Sequence, residues 1–103
     1  MLRLAIWPEY QLRQGDLRAH LCRQEGLVMT ALLAHREVRM ELITEVLWPD
    51  ADRMPDQWYR ALAVCLTKLR VKLAPFGYTI AARYGFGWRL IELADGETAK
   101  RAA

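Results

Sequence analysis

The stretch 57-QWYRALAVCLTKLRVKL-73 decides how the rest of the chain is read. At 3.6 residues per turn, Trp58, Leu62, Cys65, Leu66, Leu69 and Leu73 fall on one stripe. That spacing predicts an amphipathic helix with this face in a core. The opposite face carries Arg60, Ala63, Val64, Thr67, Lys68 and Val71, with Arg70 at its flank. Asp56 is expected to serve as N-cap, and Pro75 and Gly77 stop the helix. Beyond it, 78-YTIAARYGFGWRLIEL-93 reads as a β-hairpin. Its aromatics favour strands, while Gly85 and Gly87 mark the turn between them. The remaining residues, 94–103, form a polar tail expected to fray, which leaves one domain over 1–93.

Toward the N-terminus, 49-PDADRMPDQ-57 is a loop by composition. The segment 38-VRMELITEVLW-48 predicts a second helix that buries Met40, Ile43, Val46 and Leu47 and ends at Trp48-Pro49. A first helix is expected over 24-QEGLVMTALLAH-35, weakened near its start by Gly26. The first 22 residues read as short strands, two of them joined at Gln14-Gly15-Asp16. Trp48, Trp58 and Trp88 are expected to pack inward, whereas Tyr84 and Phe86 at the hairpin turn are candidates to touch a ligand.

Bulk properties limit the function classes. A chain of 103 residues with 53% hydrophobic content supports one core. Cys22 and Cys65 form no CxxC pair and are expected to be free thiols in a reducing cytoplasm. The start MLRLAIW is too short in its apolar run for a signal peptide, and no window suits a membrane span. His20 and His35 stand near no ligand cluster, so no metal or cofactor is expected. The sequence GFG lacks the context of a phosphate loop, and with no serine in the chain no nucleophile set emerges. An enzyme is not expected.

Charge is informative through its distribution. The net charge is +3, yet residues 1–56 hold seven Lys/Arg against nine Asp/Glu. Residues 57–91 hold Arg60, Lys68, Arg70, Lys72, Arg83 and Arg89 and no acid at all. Such a run suits a polyanion, or is a solvated face that lacks acids. Strands, three helices and a basic hairpin in this order are the layout of an α+β winged helix-turn-helix. There the third helix enters a DNA major groove and the hairpin is a wing on the backbone or minor groove.

Four segments resemble the OmpR/PhoB-type winged-helix effector domain of bacterial response regulators, over about residues 2 to 91. They are RQGDLRAHLCRQE with Glu25, ELITEVLWPD, RALAVCLTKLRVKL and YGFGWRL, in the family's order. The resemblance implies a four-stranded N-terminal sheet, three helices, a C-terminal hairpin and DNA binding. The DNA contacts it implies lie among Arg60, Ala63, Val64, Thr67, Lys68, Arg70, Lys72, Arg83, Tyr84 and Arg89. It also implies that the loop before the third helix meets RNA polymerase or a sigma factor, through Asp50, Asp52 and Arg53 here.

The departures from the family fall on the base-reading positions. Ala63 and Cys65 stand where an acid and a histidine are frequent, and Tyr84 where the wing often has an arginine. Arg83 lies one residue earlier and so on the opposite strand face. Phosphate contacts are therefore expected to survive while base readout thins, apart from apolar contacts of Ala63 and Val64 with thymine methyls. The alternative is a protein-interaction module acting on polymerase or another regulator, favoured by the apolar Ala63, Val64 and Val71. With Met1 at the edge of the first strand, no receiver domain is expected in the chain. Control would then come through expression level, homodimerisation or a partner, in a bacterial or phage setting.

Overall fold

The computed structural model describes residues 2–5, 10–83 and 85–93, and of Arg83 only the backbone. The elements run β1 (Arg3–Ala5), β2 (Gln11–Gln14), β3 (Leu17–His20), α1 (Arg23–His35), β4 (Glu37–Arg39), α2 (Met40–Leu47), α3 (Trp58–Leu73), β5 (Tyr78–Arg83) and β6 (Gly87–Glu92). Single 3-10 turns at Ala51–Arg53 and Ala74–Phe76 flank α3. This is the expected α+β class, with an antiparallel N-terminal sheet, three helices and a C-terminal hairpin in a winged-helix-like arrangement. Residues 6–9 of the expected N-terminal strand region, Tyr84 and the tail 94–103 lie outside the described residues.

Two antiparallel sheets bracket the helices. The first has the order β1-β2-β3, and the two-residue turn at Gly15-Asp16 sets β2 against β3. Among the described residues it has three strands, against the four that the family resemblance implies. Leu12, in the central strand, is fully buried and joins the main core. The second sheet has the order β4-β6-β5, so the hairpin gains a third strand. Val38 and Arg39, expected at the start of the second helix, belong to β4 instead. Val38 is β-branched, sits opposite Trp88 in register, and is buried between exposed or half-buried neighbours. A three-residue strand beside an available sheet edge satisfies its backbone better than an extra helical turn.

Helix packing follows the predicted stripes, with local corrections. Val28, Met29 and Leu32 of α1, Ile43 and Leu47 of α2, and Leu62, Cys65, Leu66, Leu69 and Leu73 of α3 meet in one core with Phe76 and Ile80. Trp48, Trp58 and Trp88 pack against it, as expected. Met40 does not: as the first residue of α2 it lies 43% exposed, and Val46 is half-buried. Gln57 rather than Asp56 is the N-cap of α3, because the Gln57 carbonyl accepts the first bond of the helix, from the Ala61 N–H at 3.3 Å.

Two glycines are fixed by close approach. Gly26 is buried inside α1, and a Cβ there would collide with the Tyr10 ring. Its helix-weakening character is thus the condition for seating the first sheet on α1. Gly87 opens β6, and a Cβ there would collide with the Val38 carbonyl oxygen of β4. Overpacking at such points typically costs about 1–3 kcal/mol. Gly26→Ala and Gly87→Ala are therefore each expected to lower unfolding free energy by that order in urea titrations followed by tryptophan fluorescence. Wild-type stability in both would overturn these packing assignments.

The one buried ion pair described joins α1 to α3. Glu25, at 1% exposure, accepts the Cys22 backbone N–H at 2.8 Å and the Lys72 ammonium at 2.7 Å, both on Oε1. The first bond closes the start of α1 from inside its first turn. Burial pushes the Glu25 carboxyl up, but the Lys72 ammonium and the Cys22 donors outweigh it and hold the group below its ordinary value of 4.5. The unfolded chain then binds this proton more readily than the folded one. Stability from the pair is present above about pH 4.5 and is lost as pH falls through the lower folded value. Lys72→Met leaves a buried unpaired carboxylate, expected to cost about 3 kcal/mol at pH 7. That deficit should shrink as acid neutralises Glu25, and parallel pH–stability curves for the two proteins would contradict the pairing.

Candidate nucleic-acid interface

The core stripe of α3 leaves a defined outer face. Arg60, Ala63, Val64, Thr67, Lys68 and Val71 are all exposed, and they line up at positions three, four and seven apart. Arg60 reaches back to the Gln57 side chain at 3.4 Å, a long contact that leaves most of its guanidinium donors outward. Thr67 donates its hydroxyl proton to the Ala63 carbonyl at 2.9 Å, so its methyl and lone pairs are what remain for a ligand. Lys68 makes no hydrogen bond or ion pair among the described residues. No acidic residue occurs on α3. The structure thus brings together five of the sequence-predicted contacts, with Val71 added in line.

Two further candidates are engaged elsewhere. Arg70 is half-buried and donates its Nε to the Ile80 carbonyl of β5 at 2.8 Å. That bond ties the hairpin to the flank of α3. Lys72 points to the other side of the helix and is held by Glu25. The family resemblance implies both as DNA contacts; their partners here, Ile80 and Glu25, lie 10 and 47 residues away, where helical periodicity gives no signal. Both are positioning residues in this structure, Arg70 for the hairpin and Lys72 for the helix.

On the hairpin, Arg89 is exposed and sits opposite Glu37 on β4 and Ala81 on β5. The Arg83 side chain and Tyr84 lie outside the described residues. Gly85 takes a positive φ of 74° in the turn. Phe86 does not stand clear of the body: its carbonyl accepts the Met40 N–H at 3.1 Å, and the Arg39 guanidinium lies 5.4 Å from its ring centroid. Such a cation–π contact contributes about 0.5–1 kcal/mol at an exposed site. The hairpin end is therefore docked on the start of α2, a link that only the discovery of β4 makes visible.

The loop before α3 is exposed throughout its 3-10 turn. Asp50 Oδ1 accepts the Asp52 N–H at 3.0 Å, and Oδ2 lies 3.8 Å from Arg53 Nε. Asp50 is thus the cap of that turn, while the Asp52 carboxylate and the rest of the Arg53 guanidinium face outward. Cys65, under α3, has its thiol pushed up to about 12 by burial and is chemically quiet at neutral pH. Among the described residues no helix is long and apolar enough to cross a membrane, and no group of three His, Cys, Asp or Glu is placed to hold a metal. Compared with protein-family models, curated proteins and solved structures, the chain gives no match.

Proposed function

We propose that the protein is an OmpR/PhoB-like winged-helix regulator that binds double-stranded DNA, with α3 in the major groove and the β5–β6 hairpin against the backbone or minor groove. The observation that carries this reading is the outward face of α3, which presents Arg60 and Lys68 with no acid on a helix anchored by its whole opposite side. A helix of 16 residues is about 24 Å long, enough to cross a groove about 12 Å wide with side chains to spare. In this reading Arg60, Lys68 and Arg89 neutralise phosphates, while Ala63, Val64 and Thr67 face base edges. Arg70 and Lys72 hold the reading surface in place rather than contacting DNA. The exposed Asp52 and Arg53 turn serves as the meeting point for RNA polymerase or a sigma factor, in the cytoplasm, where Cys22 and Cys65 remain free thiols.

One observation favours a second reading, a protein-interaction module without an operator of its own. Val64 is 55% and Val71 70% exposed, a large apolar share for a phosphate-facing helix.

Fluorescence anisotropy against a mixed-sequence duplex at ~50 and ~200 mM salt separates them. The DNA reading expects binding that falls by orders of magnitude between those concentrations. It also expects that Arg60→Ala/Lys68→Ala, both exposed and outside the core, lowers the log–log salt slope by about 2. Absence of binding at the lower salt overturns this reading in favour of the second.

A further inference from the structure

The outer face of α3 carries more than charge. Between Arg60 and the C-terminal end of the helix runs a line of Val64, Thr67 and Val71, bordered by Ala63 and Lys68. Ala63, Val64, Thr67 and Lys68 line a shallow, open depression of about 310 Å³ on the helix surface. Its floor is methyl-bearing: the Thr67 hydroxyl is turned back onto the Ala63 carbonyl, so the donor it would offer a base edge is already used. With the Arg60 and Lys68 cations set beside this line, the face joins phosphate attraction to an apolar centre. Hydrogen-bonding readout of bases has few groups here.

We propose that this face recognises the C5-methyl groups of thymine in the major groove, so that the protein prefers T-containing duplex through methyl contact rather than bidentate hydrogen bonds. The inference rests on the DNA reading above and specifies its ligand chemistry. Thymine alone among the four bases presents a methyl in that groove, and small apolar side chains are its natural complement. Val64 and Val71 are seven residues apart, about 10.5 Å along the helix axis. The base-pair rise of about 3.4 Å runs along the DNA axis and the groove is inclined to it, so for a helix lying along the groove this spans about two base-pair steps. The two valines therefore select methyls separated by about two base pairs, with Thr67 between them. Ala63, without atoms beyond Cβ, leaves the depression open for a methyl to enter.

The test compares three mixed-sequence duplex pools that differ only at C5 of the pyrimidines: one with thymine, one with uracil in its place, and one with uracil plus 5-methylcytosine. Uracil substitution leaves phosphates, Watson–Crick pairing and the minor-groove edge as they were. Expected is weaker binding to the uracil pool by about fourfold for each methyl contacted, hence tenfold or more for two. Recovery is expected with 5-methylcytosine. The variant Val64→Ser/Val71→Ser keeps similar helix propensity at two exposed positions. It should bind all three pools alike, with an unchanged thermal midpoint as the control on folding. Equal, salt-sensitive binding of wild type to all three pools overturns the methyl inference and leaves the DNA reading standing. No binding to any pool at ~50 mM salt overturns both and directs the valine line to a protein partner.

Discussion

Leu62, Leu66, Leu69 and Leu73 drive one side of α3 into the core, and a helix with a fixed turn then has no freedom in what it shows to solvent. Four buried leucines at about 1.5–3 kcal/mol each outweigh any preference of the outer residues, so the helix cannot roll to hide Val64 or Val71. The remaining elements support this placement from different sides. α1 lies against α3 and is tied to it by Glu25 and Lys72. β5 packs along α3 and is fixed by Arg70 on Ile80. The first sheet closes the core through Leu12, and Gln14 reaches Phe76 in the turn that follows α3, at 3.3 Å.

Much of this was legible in the chain. The apolar period of α3, the Pro75–Gly77 stop, the Gly15 turn and the hairpin around Gly85 are local signals that depend on neighbours in sequence. What escaped was non-local. β4 is three residues long and exists because β6 offers an edge, so a helical period fitted Val38 and Arg39 equally well until the partner strand was known. Met40 was assigned to the core for the same reason. The outward placement of Arg60, Lys68, Ala63, Val64 and Thr67 was legible because exposure on a helix is the complement of its buried stripe. The partners of Arg70 and Lys72 escaped because a basic side chain looks the same in sequence whether it meets solvent, a carbonyl or a buried carboxylate.

That division changes the meaning of the acid-free run from 57 to 91. Among the described residues its cations do not form one uniform patch. Lys72 is neutralised across the core boundary, and Arg70 is oriented by a backbone carbonyl, while Arg60, Lys68 and Arg89 remain at the surface. The cations described at the surface are accordingly fewer than the count of basic residues suggests: Arg60 near the start of α3, Lys68 midway along it and Arg89 on the hairpin. In the proposed reading, an apolar line beside such charges is a surface on which electrostatics would supply approach and orientation while shape and desolvation would supply choice.

The docking of Phe86 onto Met40 and Arg39 bears on thermodynamics as well as on shape. A loop that must be ordered at the moment of contact subtracts its lost conformational freedom from whatever its contacts yield, by roughly 1–2 kcal/mol for each backbone residue fixed. Here the Phe86 carbonyl bond to the Met40 N–H, the sheet register with β4 and the Arg39 contact order the strands and the Phe86 side of the turn during folding. The hairpin is thereby preorganised, and the entropy of its strands is already settled when a ligand arrives. In the proposed DNA complex, contacts made by Arg89 would lose little to the ordering of the strands that carry it.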